Sequence, residues 1–208
     1  TVKDEEEAID YGAVAKDAVT LMEANHFLQL KTDDELSAKF LEEYLATLDP
    51  SKFFFTQVDV DRFEERYKTA LDEKMKAGDI KPAYEMFEIY EKSVAEILEE
   101  VEEILWDESF PFGANESRIV DRSDEPRPQN KAERIQLWRD LIASNVLRDL
   151  LRGGDQVSAD ELAEIKYNLL SGYRRIYKTS QQNESEHISA KFLKAYASAF
   201  DSHSDFFS

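Results

Sequence analysis

The stretch SAKFLEEYLATL, residues 37–48, returns near the end of the chain as SAKFLKAYASAF, residues 189–200. Residues four apart lie on the same face of an α-helix, so large apolar side chains at this interval predict a helix with one buried stripe. Both copies carry such a stripe, made of Phe40, Tyr44 and Leu48 in the first and of Phe192, Tyr196 and Phe200 in the second. Each copy therefore predicts an amphipathic helix that buries its aromatic face.

The similarity continues past both helices. Over residues 37–56 and 189–208, nine of the twenty aligned positions are identical without a gap. Each helix ends at an aspartate, enters a polar turn and then presents two adjacent aromatic residues. Either a shared amphipathic pattern or an ancient duplication accounts for this, and in both cases we expect the aromatic residues to pack back onto the helices. These residues are Asp49 with Phe54 and Phe55, and Asp201 with Phe206 and Phe207.

The composition predicts a globular, helix-rich protein. Of the 208 residues, 42% are hydrophobic and 34% are charged, with only 6 glycines and 5 prolines. The net charge of −19 argues against binding to nucleic acids and anionic lipid surfaces, which attract Lys and Arg. The chain has no cysteine, which excludes disulfides, thiol catalysis and cysteine-based zinc sites. No apolar run approaches the length of a transmembrane helix, so we expect no membrane insertion by this segment.

Helix start and stop signals predict about seven helices and almost no strands. Capping residues and stop signals place them near residues 4–30, 33–48, 56–78, 79–106, 130–152, 158–180 and 183–200. Thr56 with Asp59 and Ser158 with Glu161 have the spacing of capping boxes, and Gly78 is a predicted helix stop. We therefore expect an all-α fold, an irregular multi-helix bundle that forms a single domain over residues 1–208.

One long stretch, residues 108–130, breaks the helical pattern. It is too long for a simple connection, so we expect it to pack over the helices. Phe110, Phe112 and Ile119 are its candidate anchors.

A carboxylate-rich metal site is one alternative to a purely structural bundle. Glu23 with His26, and Glu184 with His187, have the Glu-x-x-His spacing that di-iron bundles use, together with carboxylates from other helices. The acidic fourth predicted helix, over residues 84–108, could offer those carboxylates. However, both pairs lie near predicted helix ends, whereas such sites lie in the middle of helices. We therefore assign no metal and no cofactor.

The C-terminal stretch DSHSD raises a second metal alternative. Asp201, His203 and Asp205 are ligand-type residues that could bind zinc or manganese, but their alternation equally fits a turn in which side chains bond nearby backbone groups. No nucleophile elbow, glycine-rich loop or oxyanion-forming turn is visible. The residues alone thus predict an acidic helical module, and we assign it no catalytic residue. A free-standing helical interaction scaffold is one hypothesis consistent with this pattern.

Three stretches in series resemble the N-terminal helical region of bacterial tail-specific proteases, members of the carboxy-terminal processing serine protease family. They are DDELSAKFLEEYLATLDPSKFFFTQVDVDRF (33–63), VDRSDEPRPQNKAERIQLWRDLI (120–142) and FLKAYASAFDSHSDFFS (192–208). The resemblance covers about residues 25–208. In this family a segment similar to the third stretch immediately precedes a PDZ domain, so the resemblance implies that a PDZ domain follows Ser208.

The resemblance also implies a function for the parent protein. Such proteins are serine endopeptidases with a Ser/Lys dyad, which would lie outside this chain, so the chain alone is not expected to be an enzyme. The PDZ domain would bind the nonpolar C-terminal tail of a protein substrate. The helical region would support the PDZ and protease domains and, in some relatives, help dock a helical-repeat adaptor protein. The expected location is the periplasm.

A support domain needs apolar surface for its neighbouring domains. Phe110, Phe112, Phe206 and Phe207 are our candidates for this domain interface, because terminal aromatic residues in an isolated domain are otherwise hidden or absent. The alternative is that the aromatic pairs complete the local core, which we expect more for Phe54 and Phe55.

Overall fold

The computed structural model describes residues 9–25, 32–108, 122–153, 158–182 and 185–200. These residues form eight α-helices and contain no strand, which confirms the predicted all-α class. The helices are α1 (Tyr11–Asn25), α2 (Asp34–Leu48), α3 (Gln57–Tyr67), α4 (Leu71–Ala77), α5 (Lys81–Trp106), α6 (Lys131–Gly153), α7 (Ala159–Gln181) and α8 (Ser185–Phe200). The chain divides into two compact units, one from residues 1–48, 62–87 and 183–208, the other from residues 49–61 and 88–182.

The repeated helices α2 and α8 pack against each other in the first unit. The ring centroid of Phe192 lies 4.6 Å from that of Phe40 and 4.9 Å from that of Tyr44. Tyr196 contacts Phe40 at 5.4 Å, and all four rings are almost completely buried. The two aromatic stripes predicted from the sequence therefore form one core.

The tyrosines of this core keep their hydroxyl groups hydrogen-bonded. The Tyr44 hydroxyl donates to the carbonyl oxygen of Ala83 at 3.0 Å, and the Tyr196 hydroxyl lies 2.7 Å from the hydroxyl of Thr32. Burial raises the pKa of both tyrosines, so they stay neutral at physiological pH. These bonds remove the penalty of burying polar atoms in an aromatic core.

The described residues form eight helices where the sequence predicted about seven, because the predicted helix over residues 56–78 is two helices. The Ser37 hydroxyl of α2 donates to the carbonyl oxygen of Tyr67 at 3.2 Å and accepts from the backbone N–H of Leu71 at 2.9 Å. In a continuous helix this N–H would bond that carbonyl directly. A side chain inserted into the hydrogen-bond ladder interrupts the helix, and α3 ends at Tyr67 while α4 begins at Leu71.

Helix α1 begins at Tyr11, after two described residues that lie outside any helix, whereas the predicted start near residue 4 falls outside the described residues. Asp10 precedes the helix, and its Oδ1 accepts the backbone N–H groups of Gly12 and Ala13 at 3.0 and 3.1 Å. The first turn of α1 also approaches Gly78, the left-handed residue (φ 73°) that ends α4, so closely that a Cβ on Gly12 would lie 2.7 Å from the Gly78 carbonyl oxygen. Only glycine fits at this contact. The predicted end near residue 30 lies outside the described residues.

The second unit contains most of α5 together with α6 and α7. Arg134 pairs with Glu96 and Arg139 pairs with Glu100, so α5 and α6 run parallel. At the start of α7, Ser158 and Glu161 form the predicted capping box. The buried core of the three helices consists of Ile97, Val101, Ile104, Leu105, Trp138, Ile142, Val146 and Leu170.

The predicted irregular stretch 108–130 is described in part. Residue 108 and residues 122–130 lie outside helices, as expected. Phe110, Phe112 and Ile119 fall outside the described residues.

Candidate functional site

A tight turn over residues 49–56 follows α2 and is organised by one carboxylate. Asp49 precedes a proline, which disfavours further helix, and its side chain is only 2% exposed. Its Oδ1 accepts the backbone N–H of Phe53 at 2.8 Å, and its Oδ2 accepts those of Phe54 at 3.2 Å and Phe55 at 3.0 Å. One side chain thus fixes the backbone direction of all three aromatic residues.

A segment distant in sequence also binds this carboxylate. The Arg127 guanidinium lies 2.5 Å from Asp49 Oδ2 and stacks over the Phe55 ring, with 5.8 Å between the guanidinium carbon and the ring centroid. The carbonyl oxygen of Pro128 accepts the backbone N–H of Gln57 at 2.8 Å. Residues 127–128 therefore bind the first residue of the turn and the first residue of α3, which follows the turn.

Helix α6 binds the carbonyl groups of the turn. Arg134, whose side chain is 4% exposed, donates from one nitrogen to the carbonyl oxygen of Phe54 at 2.8 Å and to the Ser93 hydroxyl at 2.9 Å. Its second terminal nitrogen pairs with Glu96 at 2.6 Å. The Trp138 indole N–H donates to the carbonyl oxygen of Phe53 at 2.9 Å. We call the turn 49–56 with Arg127, Arg134 and Trp138 the clamped turn.

The aromatic side chains of the clamped turn pack against helices α5 and α6 of the same unit. Phe53 and Phe54 each have their ring centroids 5.5 Å from Trp138, and Phe54 meets Tyr90 edge-on at 5.2 Å. Phe55 is completely buried. The expectation that Phe54 and Phe55 pack back onto the helices is confirmed, whereas Phe206 and Phe207 lie outside the described residues.

The clamped turn is suited to holding backbone in place. Its two arginines are paired with carboxylates, which is the condition under which buried charges are tolerated. Burial raises the pKa of Tyr90, and the nearby charge of Asp49 raises it further, so its hydroxyl remains neutral. The hydroxyl of Thr56 and the carboxylate of Asp59 form the capping box of α3, as the sequence predicted. The Asp49 carboxylate and the two terminal nitrogens of Arg134 all bond structural partners, whereas the buried Nε of Arg134 has no hydrogen-bond partner among the described residues.

The metal-ligand candidates from the sequence are mostly outside the described residues. Glu23 accepts the backbone N–H of Thr32 at 3.0 Å, and His187 is exposed in the first turn of α8. Among the residues that the structure describes, no group of three or more His, Asp or Glu side chains is arranged to hold a metal. The candidates outside the described ranges are His26, Glu184, Asp201, His203 and Asp205.

In the described part of the chain, no helix has both the length and the apolar character needed to cross a bilayer.

Sequence reasoning missed the two arginines of the clamped turn. Arg134 occupies the same helical stripe as Trp138, Ile142 and Val146, four residues before the tryptophan. A charged residue in line with a buried stripe indicates a buried, paired charge, and this signal was present in the sequence. Arg127, in an irregular segment, offers no comparable pattern.

Comparison with known proteins agrees with the resemblance noted above. The family described as "Tail specific protease N-terminal domain" matches residues 18–208, a range that includes all parts of the clamped turn. A tail-specific protease of Haemophilus influenzae is 25% identical over 193 residues, which is 93% of this chain and 27% of that protein. The chain therefore spans about a quarter of the length of this relative. The chain belongs to the tail-specific protease N-terminal domain family.

Proposed function

We propose that this chain is a non-catalytic support domain of a tail-specific serine endopeptidase. In this proposal the parent protein degrades or processes proteins from their nonpolar C-terminal tails, with its PDZ and protease domains outside this chain. Family membership supports the assignment to such a protein. The structural support for a holding role comes from the clamped turn.

The observation that carries the proposal is the ion pair of Arg127 with Asp49, which joins segments 78 residues apart in sequence. Burying two charges costs several kcal/mol unless close geometry and further hydrogen bonds compensate. Here the carboxylate also accepts three backbone N–H groups, so these hydrogen bonds and the ion pair together fix its position. A rigid joint of this kind suits a domain that must hold its neighbours in a fixed orientation.

The proposed partners also follow from membership of this family. The domain would contact its own PDZ and protease domains, and the assembled protein would act on protein substrates in the periplasm. Docking of a helical-repeat adaptor is part of this proposal. The net charge of −19 supports protein partners over nucleic acids.

The support role is tested in the full-length parent protein. We expect Asp49→Ala to lower the rate of cleavage of a substrate with an apolar C-terminal tail at least about tenfold, because the support loses its rigid joint. Binding of a tail peptide to the PDZ domain should stay within about twofold, since the PDZ domain itself is unchanged.

Asp61→Ala is the matched control. Asp61 is an exposed aspartate of α3 that bonds only a neighbouring glutamine side chain in the described contacts, so its loss should leave cleavage unchanged. If Asp49→Ala lowers the free energy of unfolding of this domain but leaves cleavage undiminished, the support role is contradicted.

A further inference from the structure

Two large aromatic side chains remain exposed in the second unit. Trp106, the last residue of α5, is 54% exposed, and Tyr167 of α7 is 60% exposed. Single exposed apolar residues are normal on protein surfaces, but adjacent ones mark interaction sites. Trp and Tyr are also enriched among the residues that contribute most to binding energy. The relative position of these two residues is therefore important.

An ion pair fixes how α5 and α7 lie together. Arg174 of α7 donates to Glu102 of α5 through two nitrogens at 2.7 and 2.9 Å. The helix α6 runs parallel to α5, and only five residues separate it from α7, so α7 runs antiparallel to both. Moving forward along α5 and backward along α7 from this ion pair therefore leads in the same direction.

The two aromatic residues lie in that direction, on the faces that carry the ion pair. Trp106 follows Glu102 by four residues, one helical turn, and Tyr167 precedes Arg174 by seven residues, two turns. Both spacings return to nearly the same side of a helix. Trp106 and Tyr167 consequently flank the seam between α5 and α7 on one side of the unit.

Each aromatic residue has acidic neighbours at the same two helical spacings. Exposed carboxylates stand three and seven residues before it, and both positions lie on its own face of the helix. They are Glu103 and Glu99 before Trp106, and Glu164 and Asp160 before Tyr167. We call these six residues the aromatic-acidic seam.

We propose that the aromatic-acidic seam is a docking surface for a separate protein that presents a cationic amphipathic helix. The apolar stems of Lys and Arg would pack on the two rings, and their charged ends would pair with the four carboxylates. Complementary charge of this kind speeds encounter and excludes acidic partners. Permanent interfaces are more apolar and have few charges at their core, so two rings among four carboxylates fit a reversible partner.

A synthetic amphipathic Leu/Lys helix of about 14 residues is the probe, with a Leu/Glu helix of the same length as its control. We expect the Leu/Lys peptide to shift the NMR signal of the Trp106 indole N–H and to leave that of Trp138, which is 3% exposed, in place. Raising salt from about 50 to 200 mM should weaken binding several-fold, because exposed charge pairs are screened.

Substitution localises the binding. W106A combined with Y167A should weaken binding of the Leu/Lys peptide about tenfold or more, because both rings are lost. The matched control is Ile176→Ala, another exposed apolar residue of α7 (42% exposed), which should change the affinity less than about twofold. Both variants should keep the helical circular dichroism of the wild type, since they change exposed side chains.

Four results would overturn the proposal. The first three are equal binding of the Leu/Glu peptide, peptide-induced shifts away from the seam, and unchanged affinity of the double variant. The fourth is that Trp106 is already shielded from a quencher in the full-length parent protein. That result would mean that the rest of the polypeptide covers the seam, and it would leave the proposed support role intact.

Discussion

Removing the Asp49 carboxylate is the perturbation that most sharply probes the clamped turn. Asp49→Ala leaves the backbone N–H groups of Phe53, Phe54 and Phe55 without their acceptor, and it leaves Arg127 as a buried charge without its carboxylate. Deleting one partner of a buried ion pair costs about 3–5 kcal/mol. Because the hydrogen bonds and the ion pair share one carboxylate, their costs do not simply add, and we expect the loss to fall in this range.

Urea unfolding followed by circular dichroism and by fluorescence measures this loss. With a slope of about 2 kcal/mol per molar urea, a loss of about 4 kcal/mol lowers the midpoint by about 2 M. Trp138 fluorescence should report the same transition, since its indole bonds the turn directly.

Two further variants keep this prediction testable. Asp49→Asn retains the size of the side chain and should be less destabilising, so it provides a folded variant if the alanine variant fails to fold. Asp61→Ala should change stability by no more than about 0.5 kcal/mol, as surface substitutions do. A loss below about 1 kcal/mol for Asp49→Ala would refute the view that this carboxylate organises the turn.

Three other predictions follow from single residues. Ser37→Ala should lower the free energy of unfolding by about 1–3 kcal/mol, because it removes the hydroxyl that bonds Tyr67 and Leu71. Urea unfolding measures this loss, and the same change at the exposed Ser171 should have little effect. Gly172→Ala should raise the free energy of unfolding by up to about 1 kcal/mol, since a Cβ there meets no atom within 4 Å and alanine is the better helix former. The urea midpoint should rise accordingly, and a lower midpoint would show that this site is crowded. Burial, and then a hydrogen bond to a carboxylate, raise the pKa of Tyr67 from 10.0 to about 12. Its contribution to stability is therefore complete below pH 10 and disappears as the pH rises towards 12. In a pH titration followed by absorbance at 295 nm, Tyr67→Phe should lack one ionisation step near pH 12, and loss of a step near pH 10 instead would contradict the raised pKa.

The sequence predicted most helix boundaries because those boundaries depend on local chemistry. Capping residues act on backbone groups within three positions, so Ser158 with Glu161 and Thr56 with Asp59 could be recognised without the structure. Gly78 ends α4 in the left-handed conformation, and the sequence predicted that a helix would stop at this glycine. Short-range patterns of this kind are visible in any single sequence.

The break between α3 and α4 could not be predicted, because its cause is distant in sequence. Nothing at residues 68–70 demands a break by itself, since no proline or glycine occurs there. The interruption comes from the Ser37 hydroxyl, 30 residues before Tyr67 and 34 before Leu71. Local sequence patterns do not predict this contact, because it depends on tertiary packing.

The candidate site likewise contains one feature that the sequence predicted and one that it did not. The sequence predicted that Phe54 and Phe55 would be packed against helices, because adjacent aromatic residues after an amphipathic helix are rarely left in water. It could not indicate that Arg127 would meet Asp49, since the two are 78 residues apart and Arg127 lies in an irregular segment. The four aromatic residues chosen as a domain interface, Phe110, Phe112, Phe206 and Phe207, stay predictions.

We propose that this chain supports peptide-bond cleavage without performing it. The most direct measurement incubates one substrate protein, carrying an apolar C-terminal tail, with the isolated 208-residue chain and, separately, with the full-length parent protein, and follows the products by mass spectrometry. We expect fragments only with the full-length protein. Fragments produced by the isolated chain, free of contaminating protease, would place chemistry within these helices and contradict the account.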